Sequence, residues 1–439
     1  MTVTRHYVLA AGGTGGHMVP AHALGRELAR RGHRVALITD ERGKRIPGLF
    51  EDIETHVMPA GRVQGGPIGW IKGWLGIRAG REMARRLYRD FKPTAVVGFG
   101  GYPAFPALLA ALDCGIATAV HEQNAVLGRV NRLLAGRVDA IATAYPDVQR
   151  LKRKFAAKTH LVGNPVREEV KAIGRERFLD YSEATPLNLL VTGGSQGATI
   201  LSTVVPEGLG RLPEHLRTRL KVVQQCRPED IEAVRAAYQR LGIAAELTTY
   251  LEDLPSVLAQ SHLVVARAGA STIAELTVAG RPAILVPLPS AMDDHQTANA
   301  HEMSAEGGAK AIPQSQFTPE RLAREIVALA ADPEALIAAA AHAKKCGHPN
   351  ATKDLADLIE GFGRTPVMDA IGDLERGKAK VKPGLAPGAA AKVSSPERGG
   401  GPFRSYGGGD LARSQSTSFE AGSPLRLAAR ATSPCGGGF

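Results

Sequence analysis

Several residue types are scarce in this chain, and each shortage excludes something. Four cysteines in 439 residues (Cys114, Cys226, Cys346 and Cys435) lie far apart, without metal-ligand spacing or a disulfide framework. A reducing compartment is expected. Aromatic residues make up 5%, and no aromatic-studded basic motif of the RNA-binding kind occurs. No apolar run approaches the roughly 20 residues that span a bilayer. The N-terminal Met-Thr-Val-Thr-Arg-His leads straight into a strand pattern, leaving no room for a signal peptide. A cytoplasmic chain follows as the expectation.

What is abundant points towards a large, basic, folded chain. An apolar fraction of 44% can fill two cores. The formal charge of +11 fits an anionic partner, whether nucleic acid, a phosphorylated substrate or an anionic membrane surface, with nucleic acid the weakest. From Thr365 onward the composition shifts to Gly, Pro, Ser and Ala without apolar periodicity. That tail cannot offset its ordering entropy and reads as disordered over 365–439. It holds ten Lys and Arg against six Asp and Glu, so the remainder still carries +7.

The stretch Gly12-Gly13-Thr14-Gly15-Gly16-His17 follows a buried strand pattern, Tyr7 to Ala11, and precedes a helix pattern, Ala21 to Arg31. A strand, a glycine turn and a helix bring backbone N–H groups close to a bound group. The unit recurs. Thr94 to Phe99 runs into Gly100-Gly101-Tyr102-Pro103, and Ile116 to His121 into Glu122-Gln123-Asn124. Leu187 to Thr192 meets Gly193-Gly194-Ser195-Gln196-Gly197, and His262 to Ala266 meets Arg267-Ala268-Gly269-Ala270-Ser271-Thr272. Further strand patterns cover Arg34 to Thr39, Val138 to Thr143, Lys221 to Gln225 and Ala283 to Pro287. Alternating strands and helices imply parallel sheets with right-handed crossovers. The reading is α/β: two facing Rossmann-like domains, hinged near Gly163–Arg167, with a ligand cleft beyond the strands' C-terminal ends.

One segment departs from this plan. Trp70 and Trp74, the only tryptophans, are four apart and share a helix face, flanked by Ile68, Ile71, Leu75 and Arg78 with more arginines beyond. Apolar side chains beside clustered Arg suit an anionic membrane surface. A core helix with a solvated basic face fits the same pattern, and both readings stay open.

Seven motifs in order closely resemble glycosyltransferase family 28, in its branch of MurG-type peptidoglycan N-acetylglucosaminyltransferases. They are GGTGGH (Gly12–His17), GFGGYP (Gly98–Pro103), HEQN (His121–Asn124), GNPVR (Gly163–Arg167), GGSQGA (Gly193–Ala198), AGASTIAEL (Ala268–Leu276) and DDHQTANA (Asp293–Ala300). The resemblance covers roughly residues 5 to 360. It implies a GT-B fold and inverting, metal-independent transfer of GlcNAc from UDP-GlcNAc to the C4 hydroxyl of lipid I, giving lipid II. It also implies no cofactor, a peripheral site on the cytoplasmic face of the inner membrane, other cell-wall synthesis proteins as partners, and no nucleic acid. The implied division is an acceptor domain over 1–164, a donor domain over 165–345, and a helix within 346–364 packing back on the first domain.

By the same resemblance, Arg167, Ser195, Leu251, Ala270, Ser271, Thr272, Glu275, Gln296 and Asn299 fall at donor or cleft positions. Thr14, Gly15, Gly16, Gly101, Tyr102 and Asn124 fall on the acceptor side. A diphosphate leaving group needs its growing charge stabilised, and helix N-termini after glycine turns do this. Glu275 offers two acceptor oxygens to a ribose diol, although Thr272-Ile273-Ala274-Glu275 also fits a capping box. His17 is the candidate base, because an imidazole titrates near working pH, and His121 is the runner-up. His295 stands where a common family form has glutamine. The alternatives are a GT-B enzyme using another lipid acceptor and a UDP-sugar 2-epimerase, which would need cleft acids such as Glu122 and Glu275.

Overall fold

A computed structural model describes residues 3–13, 15–46, 48–58, 67–182, 184–194 and 197–362, with every side chain in those ranges except at 67–70 and 72. The tail expected to be disordered, 365–439, lies outside the described residues, as do Thr14 and Ser195. For Ile68 and Trp70, the backbone alone is described.

Two parallel sheets carry the fold. The first contains β1 (His6–Ala11), β2 (Arg34–Thr39), β3 (Glu54–Val57), β4 (Ala95–Gly100), β5 (Ala117–Glu122), β6 (Ala140–Thr143) and β7 (Thr159–Leu161), in the order β3-β2-β1-β4-β5-β6-β7. The second contains β8 (Leu187–Thr192), β9 (Leu220–Gln225), β10 (Ala245–Thr248), β11 (Leu263–Ala266), β12 (Ala283–Leu285) and β13 (Ala309–Ala311), in the order β10-β9-β8-β11-β12-β13. Each order turns back beside the sheet's first strand, at β1/β4 and at β8/β11. A parallel α/β sheet opens its ligand crevice at such a switch point.

Central strands are apolar where they are buried, β1 from Tyr7 to Ala11 and β11 over its whole length, because helices cover both faces. The helix Ala351–Gly361 packs Leu355, Ala356 and Ile359 into the core beneath β1 and β2, so it returns to the first sheet. Arg31 fastens it, with Nη1 2.8 Å from Glu360 and 2.5 Å from Asp357, and His33 Nε2 lies 2.7 Å from Glu360.

The basic helix runs Pro67–Phe91, and its two halves differ. Ala84, Leu87, Tyr88 and Phe91 are core, and Arg81 and Arg85 both bind Asp113. In the other half Ile71, Trp74 and Leu75 are 59, 57 and 51% exposed, and the Arg78 guanidinium sits 5.5 Å from the Trp74 ring centre. The core-helix reading describes the C-terminal half, and an unburied apolar face describes the N-terminal half.

Candidate active site

A cleft of about 1070 Å³ opens between the C-terminal ends of the two sheets, lined from both domains. On the second-domain wall β8 enters Gly193 and Gly194. The Gly194 backbone is left-handed (φ 76), and a Cβ on Gly193 would lie 2.5 Å from Ala198 N. Only glycine allows a turn that tight. The following helix, Thr199–Gly210, starts without a side-chain cap.

β11 leads to a second such start. Gly269 caps the helix Ala270–Ala279, again with no side-chain hydrogen bond, so the first-turn N–H groups of Ala270, Ser271 and Thr272 face the cleft. The Ser271 hydroxyl is buried there without a partner. Unsatisfied donors at a helix N-terminus form a ready anion site. The cap position also removes the capping-box reading of Glu275, which would require Thr272 to be the cap residue. Glu275 instead stands in the helix's second turn, buried against the cleft, with Arg167 Nε 3.5 Å from its Oε1. Burial raises its pKa, and the Arg167 charge opposes that shift.

Leu251 and Gln296 also line this wall. Gln296 Oε1 accepts from Leu288 N at 3.0 Å, which leaves its NH₂ as the donor to offer. His295 beside it donates Nδ1–H to the Met292 carbonyl at 2.8 Å, which leaves Nε2 with the lone pair. Asn299 is different. It is fully buried and lies apart from the cleft lining: its Oδ1 accepts from Ala125 N at 2.8 Å and its Nδ2 donates to Asn124 Oδ1 at 3.0 Å. The expected sugar contact is replaced by a tie between the domains.

On the first-domain wall, β1 ends in Gly12 and left-handed Gly13, held by Asp40, whose Oδ1 accepts from Gly13 N (3.0 Å) and Gly43 N (2.8 Å). The helix then begins at Gly15, earlier than the expected Ala21, and ends at Arg30. His17 is therefore its third residue, in the first turn. Its Nδ1 lies 3.1 Å from the Gly12 carbonyl, and a carbonyl can only accept, so Nδ1 carries the proton and Nε2 the lone pair. Burial lowers its pKa; the Gly12 hydrogen bond and the Glu122 and Asp40 charges oppose this, while His295 reinforces it. The Nε2 edge lies against Gly100, where a Cβ would approach within 3.0 Å. Gly15, Gly16, His17, Asn124 and Arg167 all line the cleft.

Gly101 and Tyr102, expected to meet the acceptor, do not line it. A Cβ on Gly101 would sit 2.5 Å from the Gly12 carbonyl oxygen, so the residue packs the two glycine turns together. The Tyr102 hydroxyl is buried without a partner.

His121 is not placed to act as a base. It is fully buried, Nε2–H donates to Gly163 O at 2.9 Å, and Nδ1 accepts from Gln123 Nε2 at 3.0 Å. Burial pulls its pKa down to about 4. Glu122 is likewise structural, since its carboxylate accepts from Asn124 N, Gly128 N and Asn131 Nδ2. That removes one of the two acids an epimerase would need.

Sequence reasoning missed Asp40, which holds the first glycine turn, and Arg45 and Arg267, which line the cleft. Arg267 lines the cleft with its guanidinium buried against the Val286 and Pro287 carbonyls and Gln314 Oε1. An Arg two residues ahead of Gly269, between a strand pattern and a helix pattern, was the available signal. Among the described residues no three His, Cys, Asp or Glu side chains gather closely enough to hold a metal ion.

Known proteins share this arrangement. The glycosyltransferase family 28 N-terminal domain matches residues 7–143 and the family's C-terminal domain residues 188–359. The UDP-N-acetylglucosamine–N-acetylmuramyl-(pentapeptide) pyrophosphoryl-undecaprenol N-acetylglucosamine transferase of Novosphingobium aromaticivorans is 61% identical over 370 residues, which is 84% of this chain and 95% of that protein. The protein of the same name from Zymomonas mobilis is 60% identical, over 83% of this chain and 94% of its own length. The crystal structure of Acinetobacter baumannii MurG superposes with a TM-score of 0.65 at 31% identity, covering 81% of this chain and 99% of that one. UDP-GlcNAc 2-epimerase from Neisseria meningitidis, at 15% identity and a TM-score of 0.56, shares the fold alone. The two switch-point sheets, the cleft between them and its uncapped helix ends are those of a GT-B enzyme, and the chain belongs to glycosyltransferase family 28.

Proposed function

We propose that the chain transfers GlcNAc from UDP-GlcNAc to the C4 hydroxyl of the MurNAc sugar of lipid I, releasing UDP and forming lipid II. One observation carries the reading: the uncapped Ala270–Thr272 turn, with the orphan Ser271 hydroxyl and buried Glu275, shares a cleft with the base-ready Nε2 of His17.

The donor lies on the second-domain wall. Glu275 accepts from the ribose hydroxyls, Leu251 borders the uracil, and Gln296 donates to the GlcNAc hydroxyls. The diphosphate meets the Ala270–Thr272 amides, the Ser271 hydroxyl, the Gly193–Gly194 turn and Arg167; Ser195 belongs to that turn by sequence. Developing charge on the leaving UDP is thereby met by preorganised donors. Lipid I enters from the other wall beside Gly15, Gly16 and Asn124. Its C4 oxygen attacks the anomeric carbon opposite the UDP oxygen, which departs with the bonding pair, and the configuration inverts. His17 Nε2 takes the hydroxyl proton. The lowered pKa keeps that nitrogen unprotonated at neutral pH.

The acceptor's polyprenyl tail requires a membrane-bound approach. Among the described residues no single helix is long and apolar enough to cross a membrane. Exposed Ile71, Trp74 and Leu75, with Arg78, form the face that docks on the anionic inner surface of the plasma membrane, and Ile68 and Trp70 extend it by sequence.

The acceptor assignment is tested by offering a short-chain lipid I analogue and a diacylglycerol, each with UDP-GlcNAc. Disaccharide from the analogue alone is expected. Transfer to diacylglycerol, or UDP-ManNAc formed without any acceptor, would overturn it.

A further inference from the structure

At the rim of the cleft the chain turns through Met292–Asp294 into the helix His295–Ala305. Asp293 and Asp294 both adopt left-handed backbone, with φ of 57 and 54. Asp tolerates this region better than most residues, yet two in succession persist only where the surroundings over-determine them. Asp294 is held within its own domain, its Oδ1 accepting from Thr297 Oγ1 at 2.8 Å, whereas for Asp293 the surroundings come from the other domain. Asp293 Oδ2 accepts from Arg132 Nη2 at 2.8 Å, and its Oδ1 lies 2.7 Å from Arg150 Nη1. Arg132 projects from the first-domain helix Arg129–Leu134, and Arg150 is itself left-handed (φ 66) in the loop after β6. Each carboxylate oxygen thus has its own guanidinium. The residues that follow immediately are His295 and Gln296, both on the cleft wall. One turn further, Asn299 makes its tie to Ala125 and Asn124. The first domain therefore grips this helix at its start and again in its second turn.

We propose that Asp293 is a positioning residue: the Arg132–Asp293–Arg150 clamp, made only when the domains close, winds the left-handed turn and so sets His295 and Gln296 against the donor sugar. The inference rests on the assignment of Gln296 to that sugar. Because binding and closure are linked, a donor that touches Gln296 favours the clamped state and the clamp favours that donor in return. UDP, which lacks the sugar, gains little from the clamp.

The test uses the full chain with four variants: Asp293→Asn, Asp293→Gly, Arg132→Ala and Arg132→Lys. Glycine accepts the left-handed backbone without supplying a carboxylate, which separates charge from backbone strain. Asp293→Asn, Asp293→Gly and Arg132→Ala are each expected to raise the UDP-GlcNAc KM ~threefold to tenfold, with UDP affinity held within about twofold. Arg132→Lys recovers most of the loss. The double variant Asp293→Asn/Arg132→Ala is no worse than its weaker parent, as for two halves of one interaction. A distance label pair at exposed Asp90 and Glu232 reports a wider UDP-GlcNAc complex in the clamp variants. A wild-type KM in Asp293→Gly, or UDP affinity falling in step with that of UDP-GlcNAc, would overturn the clamp. Gln296→Ala keeps the clamp: an unchanged donor KM there, with the label distance still widened in the Asp293 variants, sinks the sugar assignment alone.

Discussion

Replacing His17 by Asn gives the most informative perturbation of the chemistry. Asn Nδ2 can donate to the Gly12 carbonyl in place of His17 Nδ1–H, 3.1 Å away in the native site, so the turn keeps its hydrogen bond while the Nε2 lone pair disappears. A positioned general base contributes about 10²–10⁴ in rate, and turnover should fall by that factor. UDP-GlcNAc affinity should hold within about twofold, because the proposed donor contacts lie on the other wall. The pH profile supplies the second readout. Burial depresses the His17 pKa, so activity in the native enzyme rises with pH and levels off above a midpoint below the ordinary 6.5. The variant loses that acid limb. Steady-state kinetics with a soluble lipid I analogue between pH 5 and 8 measures both quantities. Turnover within tenfold of native, or an acid limb that persists, would refute His17 as the base.

Other consequences concern stability, recognition and membrane contact. His121 is held neutral with its pKa near 4 against an unfolded 6.5, so the unfolded chain binds the extra proton first as pH falls. That stability is present above pH 6.5 and lost towards pH 4, about 2 kcal/mol of it by pH 5, and urea unfolding of native protein against His121→Gln should show the difference. Glu275→Gln should weaken UDP binding by about tenfold, or 1.4 kcal/mol, for a lost charge-assisted hydrogen bond; calorimetry with UDP checks this, and equal affinity would return Glu275 to a structural role. Leu355→Ala, at a fully buried site, should cost about 2–5 kcal/mol in urea unfolding. Trp74→Ser with Leu75→Ser should reduce sedimentation with anionic vesicles while leaving turnover on a soluble acceptor unchanged.

The central strands and glycine turns were legible because burial on both faces and close backbone approach leave strong marks in sequence. β3, β7, β10 and β13 were not, since Glu-Thr-His-Val or Ala-Lys-Ala at a sheet edge carries no continuous apolar run. The early start of the first helix was hidden by Gly15, Gly16 and Pro20, which suppress helix propensity; Met18, Leu24 and Leu28 hold it by packing instead. At Glu275 the letters fitted a capping box as well as a ribose contact, and only the cap's place at Gly269 removes the former. At Asn299 the residue type suited a sugar, but only the approach of the two domains reveals that its amide joins them. His121 and Glu122 share that lesson: their chemistry is spent on β5 and its neighbours, which spacing alone does not disclose.

In the proposed reaction donor and acceptor meet across one cleft, with attack from the His17 wall on a sugar held by the Glu275 wall. The most direct measurement saturates the purified chain with UDP-GlcNAc, adds a lipid I analogue, and follows UDP release together with the anomeric configuration of the product. Stoichiometric UDP and a β-1,4-linked disaccharide are predicted. No UDP release while donor binding is saturated, or an α-linked product, would contradict it.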